Sequence, residues 1–213
     1  KSIIFSYLHN ALNLRREKCN KPITLLCCDN IRENGKMLEK SLISYLKLCN
    51  DIELINWIKT NVTFPSCMVD RITPRPPENL PNEISKKFKI IEKSSVMAET
   101  FIQWVIEDKF IDERPKLEEV GVEFVTNIIP YEEAKIRILN AGHLVLSYFG
   151  VLNNYKTYDQ TIKDKELKKF FFNFQRLEAI PALGNDIPFD LEEYMLVIFD
   201  RFNNENIADK HER

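Results

Sequence analysis

Scarcity of glycine is the feature that most restricts the folds open to this chain. Five glycines occur among 213 residues, which is about 2% against a usual content of roughly 7%. No two of them have the spacing of G-x-G-x-x-G or G-x-x-x-x-G-K-[ST], the loops that bind phosphates. Turn-rich β folds use more glycine than this, so the sequence predicts a mainly helical fold without a phosphate-binding loop of its own. The glycines are Gly35, Gly121, Gly142, Gly150 and Gly184.

The remaining composition is that of an ordinary globular protein, with 44% apolar residues, 29% charged residues and a net charge of −2. A nucleic-acid-binding surface needs a clustered positive excess, and a membrane-spanning helix needs roughly 18 successive apolar residues. The sequence shows neither pattern. We therefore expect neither a nucleic-acid partner nor a membrane partner.

The five cysteines are odd in number and include no C-x-x-C pair. This pattern argues against a disulfide framework and against a zinc site. We expect free thiols in a reducing compartment, and hence a cytoplasmic protein. The chain begins at Lys1 in an amphipathic segment and stops in a helix-like stretch, so we also expect a piece of a longer protein.

Hydrophobic periodicity divides the chain into a short α/β part and a longer helical part. Residues 2–17 have helical spacing, and the apolar run Ile23–Cys28 is typical of a strand buried on both faces. Residues 36–59 are again helical, with a break at Asn50-Asp51. Residues 60–82 contain five prolines and are predicted to be mostly irregular.

The later part of the chain is predicted to be helical around a small sheet. A strand within Thr100–Ile106 can pair with Val122–Val125, which alternates apolar and polar residues. Pro130 opens a long helix that continues to about Leu152. Two further helices are predicted over residues 158–179 and 190–201.

The long helix carries the most specific group of candidate site residues. At about 100° per residue, Asn140 lies about 140° and His143 about 80° around the axis from Lys135, so the three share one arc. The other positions are mostly apolar, which predicts burial. Gly142 inside a helix indicates close approach of another group to the backbone. The alternatives are a solvated lysine and a histidine that only packs in the core.

Two weaker candidates lie earlier in the chain. Asp70 and Arg71 stand between apolar residues in a proline-rich segment, where a structural ion pair between them is the alternative to a functional role. Asp29 and Asn30 follow the predicted buried strand, at the edge where open α/β sheets bind ligands. A helix cap is the equally plain alternative for them.

Taken together, these segments resemble the long-chain mannitol dehydrogenase family, which includes mannitol 2-dehydrogenases, D-arabinitol dehydrogenases and fructuronate reductases. The matching segments keep one order over about residues 25–209. They are Leu26–Asn30, Asn34-Gly35, Trp57-Ile58, Asn61-Val62, Phe64-Pro65, Met68–Pro74, Glu99, Phe101–Asp108, Arg114-Pro115, Pro130–Glu132, Lys135, Asn140, His143 and Arg201–Asn203.

The resemblance implies a domain organisation and a fold class. Residues 1–30 would be the C-terminal remnant of a dinucleotide-binding Rossmann domain, and residues 31–213 a truncated helical substrate domain. The expected fold class is therefore mainly α: a helical C-terminal domain with a small β-sheet, preceded by the last helix and strand of a Rossmann α/β domain. NAD or NADP would bind mostly to the missing N-terminal part.

The resemblance also implies an activity and roles for residues. The family transfers hydride between a nicotinamide and a secondary alcohol of a polyol, or the matching ketose, without a metal. By this match Lys135 is the general base, which requires the pKa of its amine to lie below the reference value of about 10.4. Asn140 and Asn30 would donate hydrogen bonds to the reacting oxygen.

The substrate-binding residues implied by the match are His143, Asp70 and Arg213. Two other readings stay open: a hexuronate reductase of the fructuronate type, and a non-catalytic helical relic that acts as an interaction module. The sequence leaves the particular polyol or sugar acid, the choice of NAD or NADP, and the oligomeric state undetermined.

Overall fold

Helices dominate this computed structural model, which describes residues 3–184 and 186–211. The helices are α1 (Ile3–Lys18), α2 (Asn34–Leu48), α3 (Ile52–Asn61), α4 (Leu80–Phe88), α5 (Ile129–Ala134), α6 (Ala141–Leu152), α7 (Tyr158–Lys163), α8 (Lys165–Phe174) and α9 (Leu191–Phe202). A 3-10 helix spans Leu117–Val120. Two π-helical segments follow α5 and α8, here called the first π turn (Lys135–Asn140) and the second π turn (Gln175–Ala179). The predicted mainly helical fold class is confirmed.

The strands are short and form two separate sheets. They are β1 (Ile23–Thr24), β2 (Val62–Thr63), β3 (Cys67–Asp70), β4 (Gln103–Glu107) and β5 (Glu123–Val125). β1 pairs in parallel with β2, and the second sheet has the order β3-β4-β5. The expected pairing of the Thr100–Ile106 region with Val122–Val125 is confirmed, with Val105 opposite Glu123 in a parallel register.

The chain divides into two units, each made from two stretches of sequence. The first unit comprises Lys1–Val69 and Gln103–Ile129, and the second comprises Asp70–Ile102 and Pro130–Arg213. The boundary that we predict after residue 30 stays a prediction, because compactness alone does not define where a cofactor-binding domain ends.

The first unit packs α1, α2 and α3 around buried leucines and isoleucines, among them Leu42, Leu46 and Leu54, which are fully buried. The predicted break at Asn50-Asp51 is confirmed, since Asp51 caps α3 by accepting the N–H of Leu54 at 3.0 Å. Asp51 also accepts hydrogen bonds from Asn13 and His9, at 3.0 and 2.8 Å. The cap thus ties α1 to the start of α3.

One prediction in the first unit is wrong. The run Ile23–Cys28 forms a strand only at its first two residues, and none of the six residues is fully buried. Among the described residues β1 has a neighbour on one side only, so the apolar run is not enclosed in a larger sheet. Slightly more than half of residues 60–82 lie outside helices and strands, so the prediction of a mostly irregular segment is confirmed, although β2, β3, the end of α3 and the start of α4 also lie there. Pro65 and Pro74 flank β3 without interrupting it.

The second unit has its own apolar core. Phe171, Ile138, Met195 and Ile198 are fully buried there. Asp164 and Asp190 cap α8 and α9 by accepting backbone N–H groups at 2.9 Å. The predicted helices over residues 158–179 and 190–201 are confirmed, although the first is divided into α7, α8 and the second π turn.

None of the helices over residues 3–184 and 186–211 is long and apolar enough to cross a membrane. The same residues contain no group of three or more His, Cys, Asp or Glu side chains arranged to hold a metal ion.

Candidate functional site

Lys135 opens the first π turn, in the middle of the long helix predicted from Pro130 to Leu152. Only 7% of Lys135 is exposed, so the alternative of a solvated lysine is wrong. Apolar neighbours in the same stretch, Ala134, Ile138 and Leu139, are buried with it. Most of the Lys135 side chain is therefore shielded from bulk water, which is an environment in which a lysine can act in proton transfer.

The π turn changes the angular relation between Lys135 and Asn140. The backbone N–H of Ala141 reaches the carbonyl of Ile136, five residues earlier. The predicted separation of about 140° assumed α-helical geometry. Hydrogen bonding between residues five apart widens the turn and brings Asn140 closer to the face of Lys135. Asn140 is exposed at the end of the turn.

His143 is half-buried in the first turn of α6 and packs between two aromatic rings. Its ring centroid lies 4.6 Å from that of Tyr158 and 4.6 Å from that of Phe202, both edge to face. The rings fix the orientation of the imidazole. This packing agrees with the core alternative and is also compatible with a role at a substrate hydroxyl, so the substrate-binding role of His143 stays a prediction.

Asp70 lies at the end of β3 in a buried cluster of two carboxylates and one guanidinium. Nη1 and Nη2 of Arg201 donate to the two oxygens of Asp70 at 2.7 and 2.9 Å. The same guanidinium donates through Nε and Nη2 to Glu99, with distances of 2.7–3.1 Å. All three side chains are at most 7% exposed. Phe101 completes the cluster, its ring centroid 4.0 Å from the guanidinium carbon.

Asp70 therefore forms a structural ion pair, as one alternative predicted, but its partner is not the predicted one. Asp70 binds Arg201 and not Arg71, whose Nε donates to the carbonyl of Glu99 at 2.9 Å. The sequence neighbours were the natural candidates, but 131 residues separate the actual partners. The cluster fixes Asp70 to α9 within the second unit.

Electrostatics within the cluster follow from burial and charge. Burial alone would lower the pKa of Arg201, but its hydrogen bonds to Asp70 and Glu99 outweigh burial and raise that pKa. Burial, followed by the negative charge of Asp70, raises the pKa of the Tyr194 phenol. Arg201 thus stays charged at any physiological pH, and Tyr194 stays neutral.

The roles predicted for Asn30 and Arg213 stay predictions. Asn30 belongs to the first unit and is exposed, and its backbone N–H donates to the carboxylate of Asp29 at 2.9 Å. The alternative of an Asp29 cap on α2 is wrong, because Glu33 occupies the cap position without a side-chain cap. Arg213 lies outside the described residues.

Three residues of the second unit were not predicted as functional: Glu99, Arg201 and Gln175. Glu99 and Arg201 lie in segments that carried the family resemblance, but their charges gave no sign of mutual pairing across 102 residues. Gln175 lies within a predicted helix, where glutamine is a common surface residue. Burial of a polar group is the signal that separates all three from their neighbours, and burial is visible only in the structure.

The glycines of this chain do not form a cradle for a dinucleotide. A Cβ placed on Gly35 would lie 2.4 Å from the carbonyl oxygen of Phe64 and 2.5 Å from that of Pro65. The space beside Gly35 is thus filled by the chain's own backbone and leaves no room for a pyrophosphate.

Comparison with known proteins gives two family matches that cover most of the chain. Residues 2–119 match the mannitol dehydrogenase Rossmann domain, and residues 127–213 match the mannitol dehydrogenase C-terminal domain. The D-arabinitol 4-dehydrogenase of Klebsiella pneumoniae is 41% identical over 210 residues, which are 99% of this chain and 46% of that protein. The D-mannonate oxidoreductase of Escherichia coli K12 is 37% identical over 201 residues, which are 94% of this chain and 41% of that protein.

A solved structure supports the same relationship. The Pseudomonas fluorescens mannitol 2-dehydrogenase ternary complex with NAD and D-mannitol superposes with a TM-score of 0.85 at 38% identity. The match covers 99% of this chain and 42% of that one. This chain spans less than half the length of the curated relatives named above. From the two domain matches and these relatives we conclude that the chain belongs to the mannitol dehydrogenase family.

Proposed function

We propose that the protein containing this chain is an NAD(P)-dependent oxidoreductase. It interconverts a secondary alcohol of a polyol, of the mannitol or arabinitol type, with the matching ketose. The proposal rests on family membership and on one observation, the burial of Lys135 at the start of the first π turn. Such enzymes take small-molecule substrates, and we place this one in the cytoplasm.

In this proposal Lys135 is the general base. It takes the proton of the substrate hydroxyl during oxidation and returns it during reduction. A base of this kind must hold its proton at a defined position and away from bulk water, because exchange with solvent would uncouple proton transfer from the reaction. The 7% exposure of Lys135 supports this role.

The remaining roles are assigned by the family match. Asn140 and Asn30 donate hydrogen bonds to the reacting oxygen as negative charge develops on it. His143, Asp70 and Arg213 bind substrate hydroxyls. Since Arg201 already binds both oxygens of Asp70, we expect Asp70 to be a rigid acceptor in this set.

A bound NAD or NADP would supply the nicotinamide as the hydride acceptor for the carbinol carbon. We propose that residues 1–30, which from residue 2 onward lie within the match to the Rossmann domain, belong to the domain that holds most of this cofactor. The residues of the described chain bind and orient the alcohol and move its proton.

The test uses the full-length protein with a panel of polyols, in which nicotinamide reduction is followed by absorbance. We expect turnover of at least one polyol, and loss of most of it in Lys135→Ala at neutral pH with cofactor affinity nearly unchanged. Arg137→Ala is the matched control, because it removes a cation from the same π turn. Arg137 is exposed and paired with Glu133 at 2.9 Å, so we expect no loss of turnover. Turnover retained in Lys135→Ala would reject the assigned base.

A second candidate activity is reduction of a hexuronate. The 37% identity to D-mannonate oxidoreductase favours it. A sugar acid needs a cation for its carboxylate, and Arg201 is already committed to Asp70 and Glu99. Turnover of fructuronate or mannonate in place of polyols would support this candidate, and absence of turnover with either class would favour the interaction module.

A further inference from the structure

Gln175 is a fully buried polar residue that reaches into the helix that carries Lys135. It begins the second π turn and is 0% exposed. Its Nε2 donates to the main-chain carbonyl of Ile138 at 2.9 Å. Ile138 lies at the centre of the first π turn, so the side chain of one π turn binds the backbone of the other.

Gly142 leaves the space that this contact needs. A Cβ placed on Gly142 would lie 2.9 Å from Nε2 of Gln175 and 3.0 Å from the ring of Phe171. Any larger residue would therefore push the amide of Gln175 away from the Ile138 carbonyl. This is the close approach that a glycine in the interior of the helix predicted.

The geometry gives the amide of Gln175 a specific effect on the helix. A side-chain donor that binds a main-chain carbonyl of a helix competes with the helix's own N–H groups for that carbonyl. Such insertions into the hydrogen-bond ladder are a recognised cause of local irregularity. π turns are uncommon and usually appear as isolated bulges. The oxygen Oε1 of Gln175 has no partner within residues 3–184 and 186–211. A buried unsatisfied oxygen lowers stability, so packing alone would favour an apolar residue of the same size at this position.

We infer that Gln175 is a positioning residue that holds the first π turn open and thereby sets the angle between Lys135 and Asn140. The inference rests on the proposed function, because it concerns the base and the hydrogen-bond donor of that reaction. Without the donor, the turn relaxes toward α-helical hydrogen bonding and rotates Lys135 relative to Asn140 around the helix axis.

The test compares two substitutions in the full-length protein that each remove one buried hydrogen bond to a main-chain carbonyl of the second unit. Gln175→Met keeps the length of the side chain and removes the donor. Thr161→Val is the matched control, since Thr161 is 0% exposed and its Oγ1 donates to the carbonyl of Thr157 at 3.1 Å. The same substitution also removes the hydrogen bond between Oγ1 and Nε2 of His211 at 2.7 Å. For each variant we measure thermal stability, kcat and the KM values of the polyol and the nicotinamide.

We expect Gln175→Met to lower kcat roughly 10- to 100-fold, since small misplacements of reacting groups have effects of this size. The nicotinamide KM should stay close to the wild-type value. Thr161→Val should lose comparable stability and keep its kcat. Equal kcat values for the two variants would overturn the inference.

A second variant separates positioning from a general loss of structure. Gln175→Glu is isosteric, and only its protonated carboxyl can donate to the Ile138 carbonyl. The kcat of Gln175→Glu relative to wild type should therefore rise as the pH is lowered, whereas the ratio for Gln175→Met should not. A pH-independent ratio for Gln175→Glu would contradict the inference.

Hydrogen exchange makes the test independent of activity. We expect Gln175→Met to alter exchange of the amides of residues 139–142, because their hydrogen-bond partners change, and to leave α9 protected. If wild type turns over no substrate, the proposed function fails while the exchange result still tests the role of Gln175. If wild type is active and exchange at residues 139–142 is unchanged in Gln175→Met, the inference alone fails.

Discussion

Substitution of Arg201 by Met tests whether the buried cluster stabilises the second unit through its charges. Met retains most of the apolar contact with Phe101 and removes all the hydrogen bonds to Asp70 and Glu99. Asp70 then keeps no hydrogen-bond donor among the described residues, whereas Glu99 still accepts the N–H of Ile72 at 2.6 Å. Removing one partner of a buried ion pair lowers the free energy of unfolding by about 3–5 kcal/mol, and we expect a loss in that range.

The asymmetry between the two carboxylates gives a sharper expectation. Adding Asp70→Asn to Arg201→Met removes the stranded charge and should restore about 1–3 kcal/mol. Adding Glu99→Gln instead should restore less, because Glu99 keeps a donor. Arg176→Met is the control, since Arg176 binds Glu192 through two contacts near 3 Å but is half-exposed. We expect that control to change stability by about 0–1 kcal/mol.

Urea unfolding followed by far-UV circular dichroism is the suitable assay. Both tryptophans, Trp57 and Trp104, lie in the first unit, so their fluorescence does not report unfolding of the second. A loss below about 1 kcal/mol for Arg201→Met, the range of an exposed pair, would refute the reasoning. Failure of Asp70→Asn to restore any stability in that background would refute it as well.

Two further predictions concern the first unit. Gly35→Ala should lower the free energy of unfolding by about 1–3 kcal/mol or more, because the added Cβ would overlap backbone carbonyls that cannot move aside. Gly184→Ala is the control, since a Cβ there has open space around it. Equal melting temperatures of the two variants would contradict the steric argument. Asp51 has its pKa lowered to about 2, chiefly by the hydrogen bond from Asn13. Its contribution is present above the ordinary value of 3.8 and lost as the pH falls toward about 2. The stability difference between wild type and Asp51→Ala should therefore be about 1 kcal/mol at pH 7 and shrink below pH 3.8 in urea titrations; a constant difference would exclude this linkage.

Local patterns predicted most of the helices, although not α4. The break before Ile52 and the burial of Lys135 both follow from spacing along one segment. The run Ile23–Cys28 was mispredicted because its burial depends on neighbouring strands, which no local pattern records. The first π turn was also not predicted. The apolar pattern of a buried helix does not distinguish hydrogen bonds between residues four apart from those between residues five apart.

Contacts across long sequence separations were beyond the reach of the sequence. Arg201 could have paired with any nearby acid on its own helix, and only the fold brings it to Asp70. The contact between Gln175 and Ile138 is of the same kind, because it depends on how α8 crosses the long helix. Gly142 was the only local feature that predicted a close approach to the long helix, and it did not identify which residue approaches.

The order in which the two units alternate along the chain affects synthesis and dissection of the protein. The polypeptide passes from one unit to the other after Val69, Ile102 and Ile129, so neither unit is a contiguous piece that a single cut could release. During synthesis, the sheet that contains β3 cannot be completed until β5 has been made. The ion pair of Asp70 cannot form until Arg201 has been made, which is later still. The nascent chain therefore exposes incomplete apolar surface while the later segments are still being synthesised, and such surface is what chaperones bind.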